Sequence, residues 1–157
     1  MDRKAYIHNI IVVFCYLVKD GKVLLIKRGQ QPLKGQVTIP AGKKKPGEDL
    51  QAACKREMME ETGLTVEKME LRGLVHTLAE GADYETLAVY FYSDQFSGEV
   101  QASDEGELVW CDIDESYKAE DISPFYTAIT PFVFEHEGVF FGTIKTADGQ
   151  NLDVNLY

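Results

Sequence analysis

Three glutamates lie at the end of the helix that the sequence predicts over residues 48–62. No proline interrupts this stretch, and Gly63 follows it, at the position where glycine commonly ends a helix. At about 100° per residue, Glu57, Glu60 and Glu61 fall within an arc of about 100° on one helix face. Like charges at these spacings repel one another, and the last turn of a helix favours cations. The pattern therefore indicates that a cation binds to this face.

The acidic face also points toward the body of the domain. Glu57 and Glu61 each lie within about 20° of the direction of Leu50, so the carboxylates continue an apolar stripe formed by Leu50 and Cys54. Carboxylate oxygens are hard ligands that suit Mg²⁺ or Mn²⁺, and substrate phosphates commonly complete the coordination shell. On these residues alone, a solvated acidic face without a ligand stays open as the alternative.

Charge is divided unevenly along the chain. The net charge is −10, from 16 basic and 26 acidic residues, which excludes the broad basic surface of a protein that binds duplex nucleic acid. Most basic residues precede position 58, and they concentrate at Lys27, Arg28, Lys34 and residues 43–45. Basic side chains ahead of a carboxylate-rich segment favour a site for a phosphorylated anion with divalent cations. For residues 43–45, a solvated lysine loop is the alternative.

Length and composition limit the class of protein. The chain has 157 residues, of which 45% are hydrophobic and 27% charged, so we expect one globular domain over residues 1–157. The longest apolar run, residues 10–18, is about half as long as a bilayer-spanning helix, so we predict no membrane span. Residues 1–4 do not resemble a signal peptide, and the three cysteines include no Cys-x-x-Cys pair. We therefore expect a cytoplasmic protein without disulfides or a zinc site.

Aromatic and β-branched residues predict strands on both sides of the helix. The predicted strands cover residues 8–18, 23–27, 65–77, 85–92, 107–111, 139–145 and 152–157. Asp20 and Gly21 join the first two strands as a hairpin, and Asp148 and Gly149 join the last two in the same way. The sheet should therefore contain antiparallel pairs at both ends of the chain.

A second helix is predicted near the end of the sequence. Ser123 and Pro124 are typical of a helix start, and the apolar pattern extends toward Glu135, although Pro131 should kink or shorten this helix. Strands and helices follow one another without a regular βαβ repeat. The prediction is therefore an α/β fold with a mixed β-sheet flanked by helices.

The spacing of residues 42–64 resembles a family signature. The signature reads Gly, five residues, Glu, seven residues, and then Arg-Glu-apolar-x-Glu-Glu-x-Gly-apolar. Its defined positions are filled by Gly42, Glu48, Arg56, Glu57, Met58, Glu60, Glu61, Gly63 and Leu64. On this match the chain resembles the Nudix hydrolases, and among them the MutT-like nucleoside triphosphate diphosphatases. The resemblance implies the Nudix fold, in which a mixed β-sheet lies between helices as an α/β/α sandwich.

The resemblance also implies a metal-dependent reaction in which water cuts a diphosphate bond. By the match, Glu57, Glu60 and Glu61 would coordinate Mg²⁺ or Mn²⁺, with the Gly42 carbonyl as a further ligand. Glu57 would remove the proton from the attacking water. Glu105 aligns with a carboxylate outside the signature that approaches the metals, although Asp104 is adjacent to it.

The remaining matched residues would support the site or the substrate. Arg56 would orient the glutamates, and Glu48 would be its structural partner near the start of the helix. Gly63 fills the structural glycine position of the signature. Arg28 and Lys43 align with positions that contact substrate phosphates.

Motifs that would fix the substrate are missing. The segment 124–135 has no asparagine of the kind that MutT-like proteins can use to bind oxidised guanine. Ala79 and Glu80 stand where ADP-ribose hydrolases tend to carry a proline, and Tyr84 is the nearest equivalent of the tyrosine typical of dinucleoside polyphosphate hydrolases. By elimination we expect a nucleoside triphosphate, oxidised guanine nucleotides included, that is cut to a monophosphate and diphosphate.

The sequence leaves several alternatives open. The substrate could instead be ADP-ribose, a nucleotide sugar or a dinucleoside polyphosphate. A non-catalytic module that senses a nucleotide is a further alternative, although such modules generally lose signature glutamates that this chain retains. We expect a small-molecule nucleotide as the partner, with no duplex nucleic acid and no membrane, and the sequence leaves monomer and homodimer open.

Overall fold

The computed structural model describes residues 7–31 and 33–157, so the prediction about residues 1–4 lies outside the described residues. The strands are β1 (His8–Lys19), β2 (Lys22–Arg28), β3 (Val37–Thr38), β4 (Ala41–Lys43), β5 (Thr65–Ala79), β6 (Tyr84–Ser97), β7 (Gly106–Asp112), β8 (Phe140–Thr146) and β9 (Leu152–Leu156). The helices are α1 (Leu50–Thr62), α2 (Ile113–Ser116) and α3 (Pro124–Glu135). Of the helices in this part of the chain, none has the length and apolar character needed to span a bilayer.

The strands pair into one mixed sheet with the order β3-β2-β1-β6-β5-β8-β9. Short β4 adds to β1, and β7 adds to β2. The pairs β1–β6 and β5–β8 are parallel, and the other pairs are antiparallel. Both predicted hairpins, β1–β2 and β8–β9, are present. The predicted mixed sheet is therefore confirmed.

Two hydrophobic clusters lie on opposite faces of the sheet. Side chains alternate along β1, so Cys15 and Leu17 belong to the cluster under α1, whereas Tyr16 and Val18 belong to the cluster under α3. The helices complete the clusters with Ala53, Cys54 and Met58 from α1, and with Tyr126, Ile129 and Val133 from α3. The sheet therefore lies between helices, as the α/β/α prediction requires.

Helix α1 begins at Leu50, later than the predicted start at residue 48. The Asp49 carboxylate caps the helix by accepting a hydrogen bond from the Ala52 N–H at 2.7 Å. Glu48 therefore lies outside the helix, and the helical geometry does not set the direction of its side chain. The end of the helix agrees with the prediction, because Gly63 adopts the left-handed conformation and its N–H donates to the Met59 carbonyl.

Helix α3 covers the predicted residues, but Pro131 does not shorten it. The residue after the helix, His136, still donates its N–H to the Phe132 carbonyl at 3.1 Å. The Arg72 guanidinium also donates to the carbonyls of Val133 and His136, at 2.9 and 2.5 Å. These bonds satisfy carbonyls at the C-terminal end, so the helix continues past the one hydrogen bond that proline cannot make.

The sequence did not predict β3, β4 or α2. Strand β3 has two residues and α2 has four, so neither is long enough to show a hydrophobic period. Strand β4 is stabilised by antiparallel pairing with β1, in which Val13 lies opposite Gly42. This pairing joins residues that are distant in sequence, and no local propensity indicates it.

We expect that replacing Thr130 by valine destabilises the fold. The Tyr16 hydroxyl lies 2.8 Å from the Thr130 hydroxyl inside the α3 cluster, and the Thr130 hydroxyl donates to the Tyr126 carbonyl. Valine would leave the buried Tyr16 hydroxyl unpaired, which costs about 1–3 kcal/mol. Urea unfolding measures this change in the free energy of unfolding.

The double variant is the control for this prediction. Tyr16→Phe together with Thr130→Val removes both hydroxyls, so the double variant should lose less stability than the two single variants added together. Strict additivity would show that the two hydroxyls do not interact.

Candidate active site

Strand β4 runs beside the C-terminal half of α1. Pairing with β1 fixes the strand, with Ala41 opposite Phe14 and Gly42 opposite Val13. The Ala41 N–H donates a hydrogen bond to the Glu61 carboxylate at 3.1 Å. The backbone of β4 therefore holds the last glutamate of α1 against the sheet.

The Arg56 guanidinium joins the acidic side chains of this region. It forms an ion pair with Glu48 through Nε and Nη2, and its Nη1 donates to Glu57 at 2.8 Å and to Glu60 at 3.1 Å. Its Nη2 also donates to the Lys43 carbonyl of β4 at 3.0 Å. One side chain thus connects the start of α1, two carboxylates on its surface and the neighbouring strand.

Glu48 is strongly held in its charged form. Hydrogen bonds from Arg56 and from the Lys45 N–H lower the pKa of Glu48 to about 2. The carboxylate is therefore ionised throughout the neutral range, and it offers Arg56 a permanent partner. This contact explains why a glutamate outside the helix shares the signature with an arginine inside it.

Gly42 is the point where β4 comes closest to α1. A Cβ atom at this position would overlap with the carboxylate of Glu57. Every residue except glycine would therefore displace the Glu57 side chain from its contact with the strand. In this structure, steric contact with Glu57 thus requires a glycine at this position of the signature.

The carboxylates of Glu57 and Glu61 are withdrawn from solvent. The Glu61 residue is 6% exposed and the Glu57 side chain 12%, whereas the Glu60 side chain is 54% exposed. Burial, as the main cause, and the charges of Glu57 and Glu105 together raise the pKa of Glu61 to about 8, against the lowering effect of the Ala41 hydrogen bond. Burial is also the main cause that raises the pKa of Glu57, followed by the charges of Glu60 and Glu105.

Glu105 reaches the same region from the loop before β7. Its charge raises the pKa of both Glu57 and Glu61. The loop is held at the end of β2, because the Gly29 N–H donates to the Glu105 carbonyl at 2.9 Å. Arg28 immediately precedes Gly29, and its charge lowers the pKa of Glu61. The loop and β2 therefore bring an acid and a base to the glutamates of α1.

The predicted residues share one region, but the carboxylates do not form a closed cage. Within residues 7–31 and 33–157, no three Asp, Glu, His or Cys side chains converge closely enough to hold a metal ion. Glu60 faces solvent and Glu57 is paired with Arg56. The donor chemistry nevertheless fits Mg²⁺, because the set consists of carboxylates and a backbone carbonyl, and because Glu57, Glu61 and Glu105 repel one another without a cation.

Two backbone groups of this site were missed by the sequence analysis. The Ala41 N–H binds Glu61, and the Lys43 carbonyl binds Arg56. Both belong to β4, which has too few residues for a strand pattern. The only signal is Gly42, whose missing side chain allows the close approach.

Comparison with known families agrees with the site. Residues 8–131 match the model of the NUDIX domain. The chain is 31% identical to the Bacillus subtilis Nudix hydrolase YvcI over 136 residues, which cover 84% of each chain. It is also 33% identical, over 104 residues, to an ADP-ribose pyrophosphatase from Methanocaldococcus jannaschii. That match covers 66% of this chain and 62% of the relative, less than two thirds of the relative's length.

The fold agrees with a solved structure as well. A mutator MutT protein from Bacillus halodurans superimposes with a TM-score of 0.83 and 29% sequence identity. The superposition covers 94% of this chain and 97% of the MutT chain. The likeness therefore extends over the sheet and both of its helical faces, beyond the signature itself.

We expect Glu61→Gln to stabilise the metal-free protein, by an amount that grows with pH. The pKa of Glu61 is about 8 in the folded protein and near 4.5 without the fold, so the folded state retains a proton that the unfolded state releases. The parent protein therefore loses stability as the pH rises between these values. Glutamine avoids this loss and retains an acceptor for the Ala41 N–H. Thermal unfolding in EDTA across this pH range measures the difference.

Glu67→Gln is the matched control, because Glu67 is exposed on β5 and the charge change is the same. Its melting temperature should follow that of the parent protein at each pH. An increase in melting temperature from Glu61→Gln that does not vary with pH would contradict the assignment of Glu61 as a buried carboxyl that retains its proton in the folded protein.

Proposed function

Because this chain belongs to the Nudix hydrolase family, we propose that it hydrolyses a diphosphate bond of a small nucleotide at the site between α1 and β4. The observation that carries the proposal is the set of Arg56 contacts. Arg56 binds Glu48, Glu57, Glu60 and the Lys43 carbonyl together, and it thereby orients the carboxylates beside Gly42. A solvated acidic face would not need this connection to the neighbouring strand.

We assign the metal ligands to Glu57, Glu60, Glu61 and Glu105, with the Gly42 carbonyl. These oxygen donors fit Mg²⁺, and Mn²⁺ is a related choice. The bound cation would neutralise the phosphate oxygens, polarise the phosphorus and lower the pKa of a bound water. Burial of Glu57 and Glu61 limits competing water around these ligands.

Glu57 is our candidate for the group that accepts the proton from the attacking water. Its carboxylate is mostly buried, and its pKa is raised above the ordinary value by burial. A raised pKa makes a carboxylate a stronger base, which favours proton transfer near neutral pH. Arg56 favours the ionised form of the carboxylate, against the effect of burial, and fixes its direction through the 2.8 Å hydrogen bond, so we assign Arg56 as a positioning residue.

Positive charge near the carboxylates supports binding of the phosphate chain. Arg28 lies at the end of β2 and acts electrostatically on Glu61, and Lys43 lies on β4 next to Gly42. We propose that these two side chains contact substrate phosphates. Arg28 can form paired hydrogen bonds with phosphate oxygens, whereas Lys43 supplies a point charge.

A nucleoside triphosphate, oxidised guanine nucleotides included, is the leading substrate, with a monophosphate and diphosphate as products. The likeness to a mutator MutT protein over almost the whole chain supports this choice. The second candidate is ADP-ribose, which is supported by the name of the Methanocaldococcus relative. Ala79 and Glu80 occupy the positions where ADP-ribose hydrolases tend to carry a proline, and this difference disfavours ADP-ribose as the substrate. Nucleotide sugars, dinucleoside polyphosphates and a nucleotide-sensing role are weaker alternatives.

The remaining proposals concern the setting of the protein. Cys15 and Cys54 are buried free thiols, and Cys111 is a partly buried free thiol, which supports a reducing, cytoplasmic location. The excess of acidic residues in the whole chain supports a small nucleotide as the partner, without binding to duplex nucleic acid.

A substrate screen with product analysis tests the proposed function. The purified chain is incubated with Mg²⁺ or Mn²⁺ and with nucleoside triphosphates, oxidised guanine nucleotides, ADP-ribose, nucleotide sugars and dinucleoside polyphosphates. Nucleoside triphosphates should give a monophosphate and diphosphate at the highest kcat/KM. ADP-ribose as the best substrate would establish the second candidate. Nucleotide binding without any product would reject catalysis.

We predict that Glu57→Gln lowers kcat/KM by about 100-fold or more, because the amide can neither accept the proton nor neutralise a cation. Activity is measured on the best substrate of the screen, at several Mg²⁺ concentrations. Glu67→Gln changes the same charge on an exposed part of β5 and should retain parental activity. Activity of Glu57→Gln within about threefold of the parent would reject a central role for Glu57.

We predict that Arg56→Lys lowers activity by about 10- to 100-fold, the usual cost of losing a group that orients metal ligands. Lysine keeps the charge but cannot contact Glu48, Glu57 and the Lys43 carbonyl together. The Mg²⁺ concentration for half-maximal activity should rise, and excess Mg²⁺ should partly restore kcat. A lower melting temperature with an unchanged Mg²⁺ requirement would indicate a purely structural role.

A further inference from the structure

Strand β9 forms an open edge of the sheet. Within the described residues it pairs only with β8, at the end of the strand order. Phe141 and Tyr157 exchange both of their backbone hydrogen bonds, at 2.8 and 2.9 Å. Because the direction of the N–H and C=O groups alternates along a strand, the groups of Leu152, Val154 and Leu156 point away from β8. These backbone groups are available to another strand.

The edge carries few of the features that usually protect such strands. Proteins block open edges with proline, charged side chains (above all lysine), bulges, covering segments or very short strands. The five residues Leu152–Leu156 include no proline and no lysine, their register with β8 is continuous, and Asp153 is their one charged residue. By contrast, β3 at the other end of the sheet has two residues, and Val37 exchanges hydrogen bonds with the segment 121–123. Edge strand β7 carries acidic residues near both ends, Glu107 and Asp112.

One face of β9 is apolar and partly uncovered. Leu152 and Leu156 pack against the α3 cluster, and Val154 lies between them on the same face by alternation. Val154 is 40% exposed on this face. Phe141 and Tyr157 lie opposite each other on the same hairpin and by alternation point to the other face of the sheet, where they are 46% and 69% exposed. A strand added beside β9 would cover Val154 and continue the apolar face.

From these observations we propose that two copies of the chain associate through their β9 strands, which pair antiparallel about Val154. In this register Val154 lies opposite its own symmetry mate, and Leu152 lies opposite Leu156. Leu152, Val154 and Leu156 are the residues whose backbone groups point outward. In this register each of them faces another such residue, so each belongs to a hydrogen-bonded pair. A two-fold axis through Val154 closes the assembly as a dimer.

Charges along the strand agree with a second copy as the partner. Asp153 is the only charged residue of β9, and it lies opposite Lys145 within its own hairpin. In the proposed register Asp153 faces Asn155 of the other copy, so a carboxylate meets an amide. A register centred on Asp153 would place two carboxylates opposite each other, which is unfavourable. The register centred on Val154 therefore pairs the three apolar residues with one another and places no like charges opposite each other.

The oligomeric state of the purified chain tests this proposal. Light scattering across a dilution series should show a dimer of the 17.7 kDa chain that dissociates on dilution. Val154→Lys places like charges on the two-fold axis and should weaken the dimer by about tenfold or more, with an unchanged circular dichroism spectrum. Val109→Lys is the matched control, because Val109 is an exposed valine on edge strand β7. This variant should dimerise like the parent.

A cross-linking experiment tests the register. Hydrogen-bonded antiparallel residues have Cα atoms about 5.5 Å apart, within the range that a disulfide spans. Val154→Cys should therefore form a covalent dimer under mild oxidation, and Val109→Cys should not exceed the background of the parent cysteines. A monomer at every concentration would overturn the proposal. Equal effects at positions 154 and 109, or a dimer that resists Val154→Lys, would also overturn it.

Discussion

The ion pair between Arg56 and Glu48 is the contact on which the rest of the site depends. It connects a residue inside α1 with one that lies just before the helix, and it leaves the guanidinium in reach of Glu57, Glu60 and the β4 backbone. Without a fixed arginine, Glu57 and Glu60 would lose the cationic partner that they share. The pair therefore converts a repulsive helix face into an ordered set of oxygen donors.

Burial of the apolar side chains of α1 contributes more to stability than the repulsion among its glutamates costs. Like-charge pairs on a helix destabilise it by a few tenths of a kcal/mol each, whereas burial of one large apolar side chain stabilises by about 1.5–3 kcal/mol. Met58 is fully buried beside Glu57, and Cys54 and Leu64 are buried on either side along the chain. The helix can therefore present an unfavourable charge cluster on one surface because its other surface is anchored in the sheet.

Much of the fold could be predicted from the sequence because its signals are local. Asp20 and Gly21 mark the first hairpin, and Gly63 marks the end of α1. The start of α1 was placed too early because Glu48 suits a first turn as well as a position outside it, and the Asp49 cap decides between them. Strand β4 could not be predicted, since only pairing with the distant β1 creates it.

The candidate site, too, could be predicted only in part, because spacing on the helix is local whereas burial depends on the fold. Spacing on one helix identifies Glu57, Glu60 and Glu61, but it cannot show that Glu60 faces solvent while Glu61 is buried against β4. That difference arises because β4 covers one side of α1 and donates the Ala41 N–H there. Glu105 depends on the fold in the same way, because contacts with the end of β2, among them the hydrogen bond from the Gly29 N–H to the Glu105 carbonyl, bring the loop before β7 to the glutamates. Residues from separate segments thus form the charge distribution that the helix alone would lack.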